Sequence, residues 1–404
     1  MTIVCVEMRY LIPRVFSIIT MEGPRLKISL VLTTLIVSTM AVPWTTSAEI
    51  CSNVEHLEFD GQNANQSVTK QVNFGARVPG SNASEDLRNW FIETRTEFDW
   101  ALDPHNWDGY NLTNLEGRLV PEDAEPLGPV VVLAAHYDSR DRAERDPDPN
   151  MTDVPIPGAN DGGSGVAVLW ELARILPTMN LEHEVWILLT DAEDQGPTPS
   201  MLGAKAWAEN RTEEDISRID AFLLVDMIGD ADLKIYRTFP PYVGDEEGDR
   251  LWDAVRTLAG PLGLIDNVTD CGGNPGLDVV NFSTTDGVID DHVPMISVGI
   301  PAIDFIDIRY GENASVWQGH WHTHADTPDK VSAESLAHIG RLLELGLREG
   351  SWLNVQLNQT EPTQPHEEVP PSTFGPFVIG AVFTIIALIF VGFLGLHESV
   401  RLKR

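Results

Sequence analysis

Basic side chains are scarce in this sequence: 27 Lys and Arg stand against 61 Asp and Glu in 404 residues, a formal net charge of −34. Spread over a surface, that charge repels phosphate backbones and anionic headgroups, which excludes nucleic acid as a broad partner. Cysteine is scarcer still, with three in the whole chain. Three cannot staple a disulfide-dense mini-domain, and without a C-x-x-C pair a thiolate metal centre is excluded too. No internal repeat marks the chain as a solenoid or propeller. Apolar residues, by contrast, make up 43% of the chain, too many for a disordered protein. The length allows one large domain or two ordinary ones with a real core.

The apolar residues are concentrated at the two ends. Arg25 and Lys27 precede the apolar run Ile28 to Trp44, which small residues close at Thr45 to Ala48. That order reads as a secretory signal cleaved after Ala48, started from Met21, with an uncleaved anchor as the alternative. Phe374 to Leu396 carries no charge, and at 1.5 Å per residue it reaches about 34 Å, enough to cross a bilayer. Arg401, Lys403 and Arg404 follow it, so the positive-inside rule puts the C-terminus in the cytoplasm. The expected layout is a leader and signal or anchor over 1–48, an exported globular domain over 49–355, a Pro-rich linker over 356–373, a transmembrane helix over 374–396 and a basic tail over 397–404. The expected location is the cell membrane, single-pass, with the body facing outside. Nine Asn-x-Ser/Thr triplets between the apolar ends fit a glycosylated exterior. Cys51 and Cys271 are the exported cysteines; they form one long-range disulfide or remain two buried thiols.

Between Asn73 and Asn354 short apolar runs alternate with amphipathic stretches. Val130 to Ala135, Glu184 to Thr190, Ala221 to Val225 and Ile296 to Ile306 read as strands buried on both faces. Ser84 to Glu97, Gly163 to Leu176, Met201 to Asn210, Gly248 to Leu258 and Ala333 to Leu353 read as helices. This alternation predicts an α/β sandwich with a largely parallel sheet covered by helices on both faces. In such folds the chemistry lies at the C-terminal ends of the strands.

Those ends carry acidic and imidazole groups. The first strand runs into His136-Tyr-Asp138, and the loop after it holds Gly-Ala-Asn-Asp161-Gly-Gly-Ser-Gly. The next strands end at Asp191-Ala-Glu193-Asp194 and at Asp226; Asp290-Asp291-His292 and Trp321-His322-Thr-His324 follow. An oxygen- and imidazole-rich set without thiolate suits a catalytic zinc. Neighbouring carboxylates such as Glu193 and Asp194 point opposite ways in extended chain, so one can hold metal while the other moves protons.

Taken in order from Asn73-Phe-Gly-Ala-Arg77 to about Leu353, these motifs resemble the zinc-dependent exopeptidase superfamily, clan MH, which contains secreted aminopeptidases and animal-type glutaminyl cyclases. The resemblance implies a three-layer α/β/α sandwich around a mixed sheet. It implies Asp161, Asp194 and His322 as ligands of one zinc, His136 and Asp226 as ligands of a second with Asp161 bridging, Glu193 as general acid/base, and Asp138 as the carboxylate orienting His136. By the family spacing His322, not His324, is the ligand. Asp194 stands where many relatives place glutamate.

Three details resemble the cyclase branch: Asp290-Asp291-His292-Val-Pro, Trp321 directly before His322, and Val225-Asp226-Met-Ile-Gly. The reading that follows is a glutaminyl-peptide cyclotransferase acting on peptide or protein N-termini, with Asp226 and Asp290 steadying the proton network and Trp321 walling the substrate. An aminopeptidase with one or two zinc ions is the alternative, and a non-enzymatic binding ectodomain a second. The acidic, Pro-rich stretch Arg140 to Pro157 is expected as a lid or an exposed spacer, and Gln195 to Met201 as a pocket wall.

Overall fold

The structure, a computed structural model, describes residues 47–354 apart from 108, 123, 126, 197–199, 245 and 246. The chain divides after Leu353, and the fold below belongs to the first unit. It opens with three helices, α1 (Ser47–Val54), α2 (Gly61–Phe74) and α3 (Asn82–Thr94), followed by a hairpin of β1 (Asp99–Trp107) and β2 (Tyr110–Leu119). Strand β3 (Val130–His136) leads to α4 (Gly163–Ile175), β4 (Glu184–Thr190), α5 (Leu202–Glu209), α6 (Glu213–Arg218) and β5 (Ile219–Asp226). Then come β6 (Ile235–Phe239), α7 (Gly248–Ala259), β7 (Val280–Gly287), α8 (His292–Ser297), β8 (Ala302–Ile306), β9 (Arg309–Tyr310), β10 (Gln318–Gly319) and α9 (Ala333–Arg348).

Six strands form the central sheet in the order β1-β2-β4-β3-β5-β8. The inner pairings β4/β3, β3/β5 and β5/β8 are parallel, while β1/β2 and β2/β4 are antiparallel. Every residue of β3, β4 and β5 is buried, as expected of strands covered on both faces. Side chains alternate between two cores. Val131, Leu133 and Ala135 join Val68, Leu172, Leu251 and Leu343 from α2, α4, α7 and α9 on one face. Val130, Val132 and Ala134 join Ala204, Trp207 and Met295 from α5 and α8 on the other. The expected α/β sandwich with a mixed, largely parallel sheet is therefore observed.

Two expectations need correction, and one hairpin was not anticipated. Ile296 to Ile306 is not one strand: α8 covers His292–Ser297, and Gly299, with φ of +92°, turns the chain before β8 starts at Ala302. A left-handed residue followed by Pro301 ends the helix and prevents an uninterrupted strand. The β1–β2 hairpin escapes the hydrophobic pattern because β1 is an edge strand, mostly exposed, carrying Pro104 and polar residues. The expected single-pass membrane placement is also corrected. Among the described residues no helix is long and apolar enough to cross a membrane. The 16-residue α9 spans only about 24 Å and is amphipathic, with one face in the core. The linker over 356–373, the span over 374–396 and the tail over 397–404 lie outside the described residues, as does the leader apart from its last two residues, which begin α1.

Of the two arrangements open to Cys51 and Cys271, the disulfide is the one observed. Cys51 on α1 is bonded to Cys271, 220 residues away, with their Cα atoms 5.4 Å apart.

Candidate metal centre

Parallel strands end together, so side chains far apart in sequence meet at one edge of the sheet. His136 closes β3 opposite Thr190 of β4, and Asp226 closes β5. Asp161 arrives from the turn into α4. That turn needs Gly162, whose φ is +74° and where a Cβ would stand 2.8 Å from the Asp138 carbonyl oxygen. Glu193 and Asp194 follow β4, and His322 comes from the long connection before α9.

Two groups of ligand-type atoms result, sharing Asp161. Nε2 of His136 lies 3.0 Å from Asp226 Oδ1 and 3.3 Å from Asp161 Oδ1. Nε2 of His322 lies 3.1 Å from Asp194 Oδ1 and 3.6 Å from Asp161 Oδ2. The sets His136/Asp161/Asp226 and Asp161/Asp194/His322 each keep their donor atoms within 4.8 Å of one another, all of them buried. Asp161 thus presents one oxygen to each imidazole.

The electrostatics of this donor set suit a cation. Burial, then the nearby Asp194 carboxylate, pushes Asp161 up to about 8. Burial and the Asp290 charge push Glu193 well above the carboxylate range, and burial and Asp226 do the same to Asp290. Burial alone would lower His322, but Asp194 outweighs it and pushes the imidazole up to about 9. Burial would likewise raise Asp194, yet the His322 charge holds it well below its ordinary value. Oδ2 of Asp161 and of Asp194 lack hydrogen-bond partners although buried. Unpaired buried carboxylate oxygens are costly, and a hard or borderline divalent ion is what such an oxygen- and imidazole-donor set accepts.

Neighbouring groups fix these side chains. Asp138 Oδ1 lies 3.4 Å from His136 Nδ1, and the same carboxylate accepts the backbone N–H of Glu193 at 3.0 Å and of Asp194 at 3.3 Å. Asp326 accepts the N–H groups of Asn160 and Asp161 at 2.8 and 3.2 Å, and Tyr310 Oη donates to it at 2.8 Å. Arg77 is fully buried and donates to the carbonyls of Tyr137, Pro157 and Gly158 around the Asp161 turn. Ala192, Met227 and His322 all have φ between +47° and +60°, beside or at Glu193, Asp226 and the His322 ring. Non-glycine residues in that region are strained, and such strain gathers where a side chain must be aimed.

A cavity of about 390 Å³ opens over the centre. Glu193, Asp226 and Asp290 line its acidic side; Ile289, Trp317 and Trp321 are among its apolar wall. Trp321 stacks on the His322 ring at 3.8 Å, with 26° between planes. Asp161, Glu193, Asp194, Asp226, Asp290, Trp321 and His322 line this cavity, while His136 contacts Asp161 and Asp226 and has Asp138 beside it. His324 does not line it: its Nδ1 faces Asp146 at 3.2 Å.

Sequence reasoning missed Glu144. Its Oε1 lies 2.8 Å from His322 Nδ1 and its Oε2 accepts from Arg140 Nε at 2.8 Å. Burial would raise Glu144, but His322 and Arg140 hold it down to about 2. Arg140 also donates to the carbonyls of Asp194 and Gly196. The Arg140 to Pro157 stretch is therefore built into the site at its N-terminal end. The only signal was its position between His136 and Asp161, since an isolated Glu in so acidic a chain says nothing. Of the expected wall at Gln195 to Met201, residues 197–199 lie outside the described residues.

A mixed α/β sheet with carboxylates and imidazoles gathered at its C-terminal strand ends defines a metal-dependent enzyme. The chain matches the sequence profile of Peptidase family M28 over residues 114–345 and belongs to that family. It is 28% identical over 222 residues to aminopeptidase YwaD of Bacillus subtilis (strain 168), a match covering 54% of this chain and 41% of that protein's length. It is 25% identical over 297 residues to the glutaminyl-peptide cyclotransferase of Drosophila melanogaster, covering 67% of this chain and 76% of the relative. Among solved structures, the Porphyromonas gingivalis glutaminyl cyclase superposes with a TM-score of 0.61 at 28% identity, covering 72% of this chain and 98% of that one. Membership of that family and these relatives support an enzyme of either kind, an exopeptidase or a glutaminyl cyclase.

Proposed function

We propose that this enzyme converts N-terminal glutamine of peptides to pyroglutamate with release of ammonia. The observation that carries the reading is the placement of Glu193 and Asp290 together: carboxyl oxygens of Glu193, Asp290 and Asp291 lie within 4.8 Å of one another, and the first two line the cavity beside Trp321. In this reading Asp161, Asp194 and His322 hold one zinc, which when bound supplies Lewis-acid polarisation of the γ-carbonyl oxygen. Glu193 takes a proton from the substrate's α-amine as that nitrogen bonds to the γ-carbon, then returns it to the departing amide nitrogen as the C–N bond breaks. One bond forms, one breaks, and the proton leaves with ammonia. Asp226 and Asp290 hold the proton network around Glu193, and Trp321 with Ile289 excludes water from the substrate side chain.

A second reading is supported by the complete His136/Asp161/Asp226 set. With a second zinc there, the same Glu193 would deprotonate water for attack on the first peptide carbonyl, as an aminopeptidase requires. Purified enzyme given Gln-initiated and Leu-initiated peptides together separates the two. Ammonia from the first alone establishes the cyclase, and free leucine without ammonia overturns it. Glu193→Gln is expected to abolish either reaction while zinc stays bound; retained turnover would remove its assigned role.

A further inference from the structure

The cavity over the centre is strongly acidic, and its cations are almost all committed. His322 faces Asp194 and Glu144, and Arg140 is spent on Glu144 and on the carbonyls of Asp194 and Gly196. Arg145 is the exception. It lines the same cavity, and no carboxylate lies within ion-pair distance of its guanidinium among the described residues. The guanidinium instead sits over the Trp321 ring, 5.0 Å from its centroid. The negative face of the ring attracts it and leaves its N–H donors open.

Its segment is held at three consecutive residues, by the Arg145 backbone and by the side chains on either side of it. Glu144 is fastened to His322 and Arg140, Arg145 N–H donates to the His322 carbonyl at 3.3 Å, and Asp146 accepts from His324 N–H at 2.9 Å. A side chain presented from so fixed a segment is an element of the pocket, since little further ordering is needed when it binds. In a chain of net charge −34, anionic ligands meet repulsion everywhere else.

We propose that Arg145 is an anion subsite that selects peptide substrates carrying a carboxylate beyond the reacting N-terminal residue. The acidic floor takes the N-terminal end and the guanidinium takes the carboxylate, bidentate where geometry allows. That carboxylate is either an acidic side chain at the second or third residue or the C-terminus of a di- or tripeptide. The inference rests on the reading that the substrate is a peptide bound by its N-terminus.

The test compares peptides with one N-terminal residue and different continuations: an alanine amide, alanine with a free carboxylate, and a glutamate amide. For the wild-type enzyme, kcat/KM is expected to be about tenfold higher for a carboxylate-bearing peptide than for the neutral amide, through KM. The preference should fall several-fold as salt is raised, because the guanidinium is solvent-exposed. In Arg145→Gln the ratio should fall to near one, and Arg145→Lys should keep part of it. Whichever carboxylate peptide shows the preference identifies the source. Equal ratios in wild type and Arg145→Gln would overturn the proposal. Calorimetric binding of the same peptides to the Glu193→Gln protein reads the preference without turnover. Absence of all turnover with the binding preference intact would therefore count against the assigned reaction and for the subsite.

Discussion

Replacing Glu144 by Gln tests how the centre is held together. The carboxylate has two acceptor oxygens, one facing His322 Nδ1 at 2.8 Å and the other Arg140 Nε at 2.8 Å. Glutamine keeps the shape but offers only one acceptor, so its NH₂ must face a donor on one side. Either the imidazole loses the group that fixes its ring and tautomer, or Arg140 loosens from the Asp194 and Gly196 carbonyls. Both outcomes disturb the Asp161/Asp194/His322 set. Losing such a supporting carboxylate costs about 10- to 100-fold in metal affinity. The Glu144 side chain is 36% exposed, so water and salt compensate in part and the expected loss is near the lower end, about tenfold. Competition with a chromophoric chelator reads the zinc affinity, and the melting temperature with and without zinc gives an independent value. Zinc affinity within a factor of two of wild type would refute the argument that Glu144 orients His322.

Reducing the Cys51–Cys271 bond, or replacing both cysteines by Ser, releases a 220-residue loop in the unfolded chain; chain entropy puts the loss at up to about 5 kcal/mol, and an unchanged denaturation midpoint would count against it. His183 is buried, and burial lowers it from 6.5 to about 4. Because the folded state resists its protonation, its contribution is complete above pH 6.5 and is lost as pH falls toward 4. Wild type should therefore lose about 2 kcal/mol relative to His183→Gln between pH 7.5 and 5, read by urea unfolding. A pH-independent difference would refute it. Gly165→Ala sets helix propensity against space: alanine gains up to about 1 kcal/mol, but its Cβ would stand 2.1 Å from the Val225 carbonyl oxygen. The clash wins, with a net loss of about 1 to 3 kcal/mol.

Much of the fold was legible because β3, β4 and β5 are buried on both faces and so read as short continuous apolar runs. The site was legible for a related reason: His136, Glu193, Asp194 and Asp226 stand at or just after those runs, and Asp161 stands in the glycine-rich turn that opens the next helix. The β1–β2 hairpin was not, because an exposed edge strand carries no such pattern. Helix α2 was also missed; its mean composition is polar, and what starts it is the Asp60 carboxylate accepting from Gln62 and Asn63 N–H. Asp326 stands four residues after His322, yet nothing in the local sequence says that it holds the Asp161 turn.

The sequence by itself determined the alternation of strands and helices, the residue types at the strand ends and the family resemblance, since burial and backbone period act locally. Tertiary structure alone decided what those residues do to one another. It closed Cys51 onto Cys271, set Asp161 between two imidazoles, and brought Glu144 onto His322 across 178 positions. It also left Arg145 as the uncommitted cation over Trp321. Distances between charges, and which buried carboxylate lacks a partner, arise only when separate strand ends meet, and on those the chemistry depends.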